Sequence, residues 1–200
     1  GDLGSRKYLL ASLDQSLTRL GLPYVDIFYH HRMDPETPLE ETMGALDQAV
    51  KSGKALYAGL SNYNGQKMQE AAAILRDLKC PFVINQNRYS IFDRTIENNG
   101  LKEAAVKEKK GLIAFSPLAQ GTLTDRYLKK DQLTEEKISQ IRALNEMAGQ
   151  RGEKLSQMAL KWVMKDPVVT SVLIGASKPE QILDNLKMLD GASLSEEELL

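Results

Sequence analysis

Residues 111–124 read Gly-Leu-Ile-Ala-Phe-Ser-Pro-Leu-Ala-Gln-Gly-Thr-Leu-Thr, and residues 171–185 read Ser-Val-Leu-Ile-Gly-Ala-Ser-Lys-Pro-Glu-Gln-Ile-Leu-Asp-Asn. Each stretch begins as a short apolar run and ends in small and polar residues, and the second continues into an amphipathic helical pattern. In parallel α/β sheets, ligands bind beyond the carboxyl ends of the strands, and the free N–H groups of a helix amino terminus bind anions. Together the two stretches predict a parallel α/β fold with a site for the phosphate of a nucleotide.

Helical and strand-like patterns alternate along the rest of the chain. Predicted strands cover residues 24–29, 55–60, 82–84, 112–115 and 171–174. Predicted helices cover about residues 9–20, 37–53, 65–78, 101–109, 134–150 and 155–164, with a closing helix to residue 189. The second helix opens with a capping box, Thr37-Pro38-Leu39-Glu40. This rhythm predicts a parallel sheet covered on both faces, and without a linker or repeat it predicts a single domain over residues 1–200.

The composition excludes several classes of protein. Of 200 residues, 42% are hydrophobic and 26% are charged, with a formal net charge of −1 and both signs interleaved, so we expect no nucleic-acid partner. The single cysteine, Cys80, excludes an internal disulfide, and the sequence contains no metal-ligand pair of the CxxC or HxxxH type. No apolar run approaches the roughly 18 residues of a membrane span, and the amino terminus lacks a signal-peptide pattern. We therefore expect no metal, no membrane partner and a cytoplasmic location.

Five strands leave two architectures open. A doubly wound open sheet usually carries a GxGxxG turn after an early strand, and this sequence has none. A (β/α)₈ barrel runs to about 250 residues, so a chain with five strands would cover only part of one. Periodicity and composition do not decide between them.

Five motifs stand in a specific order along the chain. They are residues 24–41 (YVDIFYHHRMDPETPLEE), 59–63 (GLSNY), 85–86 (NQ), 115–121 (FSPLAQG) and 175–185 (GASKPEQILDN). In these motifs the chain resembles the aldo-keto reductase superfamily, and within it the branch of bacterial L-glyceraldehyde 3-phosphate reductases and voltage-gated potassium channel β subunits. The resemblance implies a TIM barrel, of which the chain covers about the last five β/α units. It also implies the reduction of small aldehydes or ketones with NADPH, and we expect a homo-oligomer.

Two parts of the family pattern have no counterpart in the sequence. The family places a catalytic Asp, a Tyr general acid and a Lys on the first three strands, upstream of the helix that opens this chain; a protein that truly began at Gly1 would be inactive. After Leu128 this branch usually has a longer loop with a Ser-Arg pair, whereas here residues 129–133 lead directly into a helix. We favour the explanation that mobile segments are omitted over that of a truncated product. A barrel cut at its third strand would expose two unpaired sheet edges.

The candidate catalytic residue is a histidine at the end of the first predicted strand. Adjacent strand residues face opposite ways, so only one of His30 and His31 can point into the barrel mouth. The resemblance implies that this is His31 and that it orients the substrate carbonyl through a hydrogen bond. The alternative is a structural histidine.

The resemblance also implies contacts with the nicotinamide. The hydroxyl and amide groups of Ser61, Asn62 and Gln86 are expected to hold its carboxamide, and the ring of Phe115 is expected to stack on it. Taken alone, each of the three polar residues is of a type that is common in loops without a ligand. A lone Phe at the end of an apolar strand is more often part of the core.

The remaining cofactor candidates lie in the two stretches quoted first. Those expected at the pyrophosphate and its approach are Ser116, Pro117, Leu118, Ala119, Gln120 and, a little further on, Arg126. Those expected at the adenosine end are Gly175, Ser177 and Lys178 around the 2′-phosphate, and Gln181, Asp184 and Asn185 toward the adenine and ribose. Many members of the wider family carry Arg where Gln181 stands, which weakens the case for NADPH over NADH.

The sequence thus favours an NADPH-dependent reductase of a small aldehyde, such as a triose phosphate or a compound like methylglyoxal. The alternative is a cofactor-sensing, subunit-docking protein with little or no turnover. In the channel-β branch an Asn takes the position of His31, so the histidine favours the enzyme. An isomerase or aldolase barrel would need a carboxylate or a Schiff-base Lys at a strand end, and we find no persuasive candidate.

Overall fold

The computed structural model describes residues 4–124 and 133–199. Its strands are β1 (Val25–His30), β2 (Ala55–Ser61), β3 (Phe82–Arg88), β4 (Gly111–Phe115) and β5 (Val169–Leu173). Its helices are α1 (Arg6–Leu20), α2 (Leu39–Lys51), α3 (Gly65–Asp77), α4 (Thr95–Asn98), α5 (Leu101–Lys107), α6 (Glu135–Gln150), α7 (Leu155–Val163), α8 (Pro179–Leu186) and α9 (Glu196–Leu199). Arg126 and the short connection predicted after Leu128, apart from Leu133, lie outside the described residues.

The predicted parallel α/β sheet is confirmed. The strands follow one another in the order β1-β2-β3-β4-β5, and the β1–β2 and β2–β3 pairs are parallel. His30 pairs with Leu60, and Leu60 pairs with Asn85, so the carboxyl ends of β1 and β2 lie level with Asn85 of β3. This register brings the polar residues at the end of β2 beside Gln86 of β3.

The predicted capping box at Thr37 is wrong. Helix α2 begins at Leu39, its N-cap is Pro38, and no side chain caps it. The Thr37 hydroxyl instead donates a hydrogen bond of 2.7 Å to Asp34 Oδ2. Because this hydroxyl is committed to a carboxylate in the preceding turn, the first turn of α2 relies on the acidic residues Glu40 and Glu41 beside the positive end of the helix dipole.

The chain packs as two compact units. Unit 1 comprises the residues up to Asn87 together with Ile96–Ile113, and unit 2 comprises Arg88–Thr95 together with the residues from Ala114 onward. The expectation of a single domain over residues 1–200 stays a prediction.

Each unit has apolar residues buried between its helices and strands. In unit 1, one buried cluster joins α1, α2 and β2 and consists of Leu13, Leu17, Ala49 and Ala55. In unit 2, the buried cluster consists of Leu123, Ile141, Ala148, Leu155, Met158 and Ala159. Burial of the leucine, isoleucine and methionine side chains contributes roughly 1.5–3 kcal/mol each, so the two clusters hold together the elements of their own unit.

A close approach of two glycines fixes the start of α3 within unit 1. A Cβ atom on Gly65 would overlap the backbone of Gly100. The amide of Gly65 donates to Asn99 O at 3.1 Å, and the neighbouring Asn64 caps the helix with its side chain. Only a residue without a side chain therefore fits at the first position of α3.

We expect Gly65→Ala to lower the free energy of unfolding by about 1–3 kcal/mol, because the added methyl group must push backbone aside. Gly149→Ala is the matched control, since Gly149 lies in α6 and a Cβ there meets nothing within 4 Å. The control should raise the free energy of unfolding by about 0.5–1 kcal/mol. Urea unfolding followed by circular dichroism checks both, and an equal effect of the two substitutions would contradict the close approach.

Candidate functional site

The first group of candidate residues lies at the strand ends of unit 1 and is joined by hydrogen bonds. The carbonyl oxygen of Gln86 accepts from the Ser61 hydroxyl at 2.9 Å and from the Asn62 amide at 3.0 Å. Asn62 Nδ2 donates to the carbonyl oxygen of His31 at 2.8 Å and to Ser61 Oγ at 3.1 Å. The structure thus brings together the predicted residues Ser61, Asn62 and Gln86 and the backbone of His31.

The backbone of Asn62 has an uncommon conformation. Its φ of 60° lies in the left-handed region, which asparagine tolerates better than most residues. This conformation allows the backbone N–H of Asn62 to reach Gln86 of β3. It also allows the side-chain amide to reach His31, which follows β1. The turn after β2 is therefore held by hydrogen bonds on both sides.

The two histidines have different environments. His30 is 2% exposed, and its Nδ1 lies 2.8 Å from the Tyr63 hydroxyl, a hydrogen bond whose direction follows the imidazole tautomer. His31 is exposed. The two side chains thus differ in exposure, and the role of His31 toward a substrate stays a prediction.

A buried polar cluster next to these strand ends was missed by the sequence analysis. Asn87 Nδ2 donates to the carbonyl oxygen of Tyr63 at 3.1 Å and lies 3.4 Å from Asn85 Oδ1. Asn85 is fully buried, and burial raises the pKa of Tyr63 above its ordinary value, so this hydroxyl stays protonated at neutral pH. Tyr63 and Asn85 both stand in the motifs quoted above, but the motifs give no sign that Asn87 bonds to both of them.

The second group of candidate residues lies in unit 2, around a cavity of about 690 Å³. This volume is in the range of small-molecule and cofactor sites. Nine of the residues predicted to contact the cofactor line the cavity, namely Ser116, Pro117, Leu118, Gln120, Gly175, Ser177, Gln181, Asp184 and Asn185. The lining does not include Phe115, Ala119 or Lys178, and Arg126 falls outside the described residues.

The turn after β4 has a strained backbone. Ser116, Ala119 and Gln120 have φ values of 53°, 47° and 57°. A non-glycine residue in this region costs of order 1–3 kcal/mol, and such residues cluster at ligand sites. The strain in the wall of this cavity is a second sign that the turn serves a ligand rather than stability.

The start of α8 is capped by a side chain of its own first turn. Gln181 Oε1 accepts from the Ser177 amide at 2.7 Å and from the Lys178 amide at 3.3 Å. The N–H groups that the sequence predicts to bind phosphate are therefore already paired with a neutral acceptor. An anion can use them only if Gln181 moves away.

The positions of Lys154 and Phe115 differ most from the predictions made from the sequence. Lys154, which that analysis did not select, lines the cavity, and its Nζ lies 2.7 Å from Asp184 Oδ2. Phe115 is half-buried, with the guanidinium of Arg88 5.8 Å from the centre of its ring. Its stacking on a nicotinamide stays a prediction.

A family model described as the aldo/keto reductase family matches residues 1–199. The chain belongs to this family. It is 48% identical to an L-glyceraldehyde 3-phosphate reductase of Escherichia coli (strain K12) over 218 residues, which cover 100% of this chain and 63% of that protein. It is 35% identical to a putative voltage-gated potassium channel subunit beta of Schizosaccharomyces pombe, over 93% of this chain and 60% of that protein.

A solved structure supports the same assignment. The chain superposes with a TM-score of 0.81 on a thermostable aldo-keto reductase in complex with the inhibitor epalrestat, at 34% identity, covering 98% of this chain and 65% of that one. The five strands and their helices are thus part of the barrel of an aldo-keto reductase, as the motifs predicted. This aldo-keto reductase chain spans less than two thirds of the length of these relatives. In its described part, none of the helices combines the length and apolar character needed to cross a membrane.

We expect Tyr63→Phe in this aldo-keto reductase to lower the free energy of unfolding by about 1–3 kcal/mol, because it removes the hydroxyl bonded to the buried His30. Tyr57→Phe is the matched control, since Tyr57 is 42% exposed, and it should change the free energy by less than about 0.5 kcal/mol. Urea unfolding of both variants measures the difference. Equal effects would show that the contact between His30 and Tyr63 contributes nothing to stability.

Proposed function

We propose that this protein reduces small aldehydes or ketones by hydride transfer from NADPH, with a triose phosphate or a compound like methylglyoxal as the substrate. Membership of the aldo-keto reductase family supports carbonyl reduction. The relative at 48% identity is a reductase of a phosphorylated aldehyde, and this supports the substrate class.

The single observation that carries the proposal is the cavity in unit 2. Its walls combine the apolar side chains of Leu118, Leu173 and Ile174 with hydroxyl and amide groups such as those of Ser177 and Asn185. Apolar surfaces suit the faces of an adenine ring, while hydroxyls and amides suit ribose and phosphate oxygens. This donor set fits the adenosine and pyrophosphate part of a dinucleotide.

In unit 1 we assign the nicotinamide carboxamide to Ser61, Asn62 and Gln86. NADPH, when bound, supplies the hydride. The Ser61 hydroxyl donates to the Gln86 carbonyl and Asn62 Nδ2 donates to the His31 carbonyl, so both side chains have fixed directions before any ligand arrives. Such preorganisation lowers the entropic cost of binding, because the side chains need not be ordered at that moment.

We assign to His31 the task of orienting the carbonyl oxygen of the substrate. It follows β1 directly, and its carbonyl oxygen is held by Asn62 Nδ2 at 2.8 Å, so the backbone beneath the side chain is fixed. A positioned imidazole contributes to rate by holding the reacting oxygen within hydrogen-bond reach of the proton donor.

We expect His31→Ala to lower kcat/KM about 10²–10⁴-fold with glyceraldehyde 3-phosphate or methylglyoxal, the usual range for a positioned proton-transfer partner. The dissociation constant of NADPH, measured in the same preparation, should stay within about twofold, because His31 is assigned to the substrate. An unchanged rate would show that His31 does not orient the substrate.

The mass of the purified protein decides how this assay is interpreted. The family pattern puts the general-acid Tyr upstream of the first helix of this chain. A protein with the mass of these 200 residues should therefore bind the dinucleotide without turnover, whereas one with the mass of a full barrel should turn over. Turnover by a protein of confirmed 200-residue mass would contradict this part of the proposal.

A second candidate function is a cofactor-sensing, subunit-docking protein with little turnover. The relative named as a putative channel subunit beta favours it at 35% identity, whereas the reductase favours the enzyme at 48%. Tight dinucleotide binding by a full-barrel protein, without turnover on either carbonyl compound, would favour this second candidate. The proposal also includes a single domain, a homo-oligomer and a cytoplasmic location.

A further inference from the structure

Lys154 is the cation of the unit 2 cavity. It precedes α7 as the N-cap of that helix, and among the described residues it is the only lysine or arginine in the lining. Lys178, which the motif analysis assigns to the 2′-phosphate, does not belong to the lining. A charged group entering this cavity would therefore meet Lys154.

The backbone that carries Lys154 is fixed to α8 through Gln157. The amide of Lys154 donates to Gln157 Oε1 at 3.0 Å, and Gln157 Nε2 donates to the carbonyl oxygen of Asp184 at 2.8 Å. Gln157 is 6% exposed, so both hydrogen bonds are partly shielded from water. The base of the Lys154 side chain is thus held in place beside α8, and its ammonium reaches the Asp184 carboxylate of that helix.

The ammonium of Lys154 is in a position to change partners at small cost. It pairs with Asp184 Oδ2 at 2.7 Å, but the Lys154 side chain is 53% exposed. Exposed ion pairs contribute only about 0–1 kcal/mol. Asp184 also has a second cation, because Lys187 Nζ lies 3.6 Å from its Oδ1. If Lys154 turned to a ligand, Asp184 would keep a counter-charge.

The other groups at this end of the cavity carry no positive charge. The amides of Ser177 and Lys178 are already paired with Gln181 Oε1. Gly175 has no side chain and offers at most a neutral backbone N–H. Lys154 is therefore the positively charged group that the described lining offers to the phosphate that separates NADPH from NADH.

We propose that Lys154, rather than Lys178, is the residue that discriminates NADPH from NADH, by transferring its ammonium from Asp184 to the 2′-phosphate while Lys187 remains beside Asp184. The proposal rests on the proposed function, in which this cavity holds the adenosine end of the dinucleotide. It makes Lys154 a specificity-determining residue and Asp184 the group that stores its ammonium in the absence of ligand.

The test measures dissociation constants by calorimetry for NADPH and NADH, and for 2′,5′-ADP and 5′-AMP as probes of the adenosine end alone. Lys154→Met should weaken NADPH and 2′,5′-ADP roughly 5- to 50-fold, since a screened charge-assisted contact is lost, and should leave NADH and 5′-AMP within about twofold. Lys154→Arg keeps the charge and should retain the preference. Added salt should reduce the preference for NADPH over NADH in the unmodified protein, and it should have little effect on the ratio of the two dissociation constants in Lys154→Met.

Lys178→Met is the matched control. It removes an exposed ammonium at the start of α8, and it should not change the ratio of the two dissociation constants by more than about twofold. Equal weakening of NADPH and NADH by Lys154→Met, or a loss of preference in Lys178→Met instead, would overturn the proposal while leaving the proposed function intact. If the unmodified protein bound none of the four probes, the proposed function would fall and this inference with it.

Discussion

The parallel register of β1, β2 and β3 is the constraint on which the polar edge of unit 1 depends. His30, Leu60 and Asn85 pair across the three strands, so the residues that follow them emerge at one level. The Gln86 carbonyl can accept from both Ser61 and Asn62 only in this register. A shift by one residue would turn the alternating side chains to the opposite faces and break every one of these hydrogen bonds.

Much of the fold could be predicted from the sequence because apolar runs and helical spacing are local signals. The strand from Ala55 was placed within one residue at each end, since its apolar run is bounded by turn residues. Helix α4 was missed because its four residues, Thr95–Asn98, are too few to show a period. Thr37 was misread as a cap because the sequence does not reveal that Asp34 competes for its hydroxyl.

The same distinction between local signals and long-range contacts applies to the candidate site. Nine of the residues named from the family motifs line one cavity, and they come from only two short stretches, residues 116–120 and 175–185. Lys154 carried no such signal: it stands in an ordinary polar turn, and its partner Asp184 is 30 residues away. Similarly, the capping of α8 by Gln181 depends on a rotamer that only the folded helix start selects. The sequence pattern of a single chain does not show which side chains pair over long sequence separations.

The two units hold polar groups by different physical means. In unit 1 the groups are neutral amides, hydroxyls and an imidazole, and most are buried, where a hydrogen bond left unmade costs about 1–3 kcal/mol. Such groups are rigid and suit a neutral ligand group of fixed shape. In unit 2 the charged groups around Asp184 are partly exposed, so their ion pairs are weak and exchangeable. A solvent-exposed ammonium can bind a phosphate and release it without leaving an unpaired buried charge. Breaking a buried ion pair would leave such a charge.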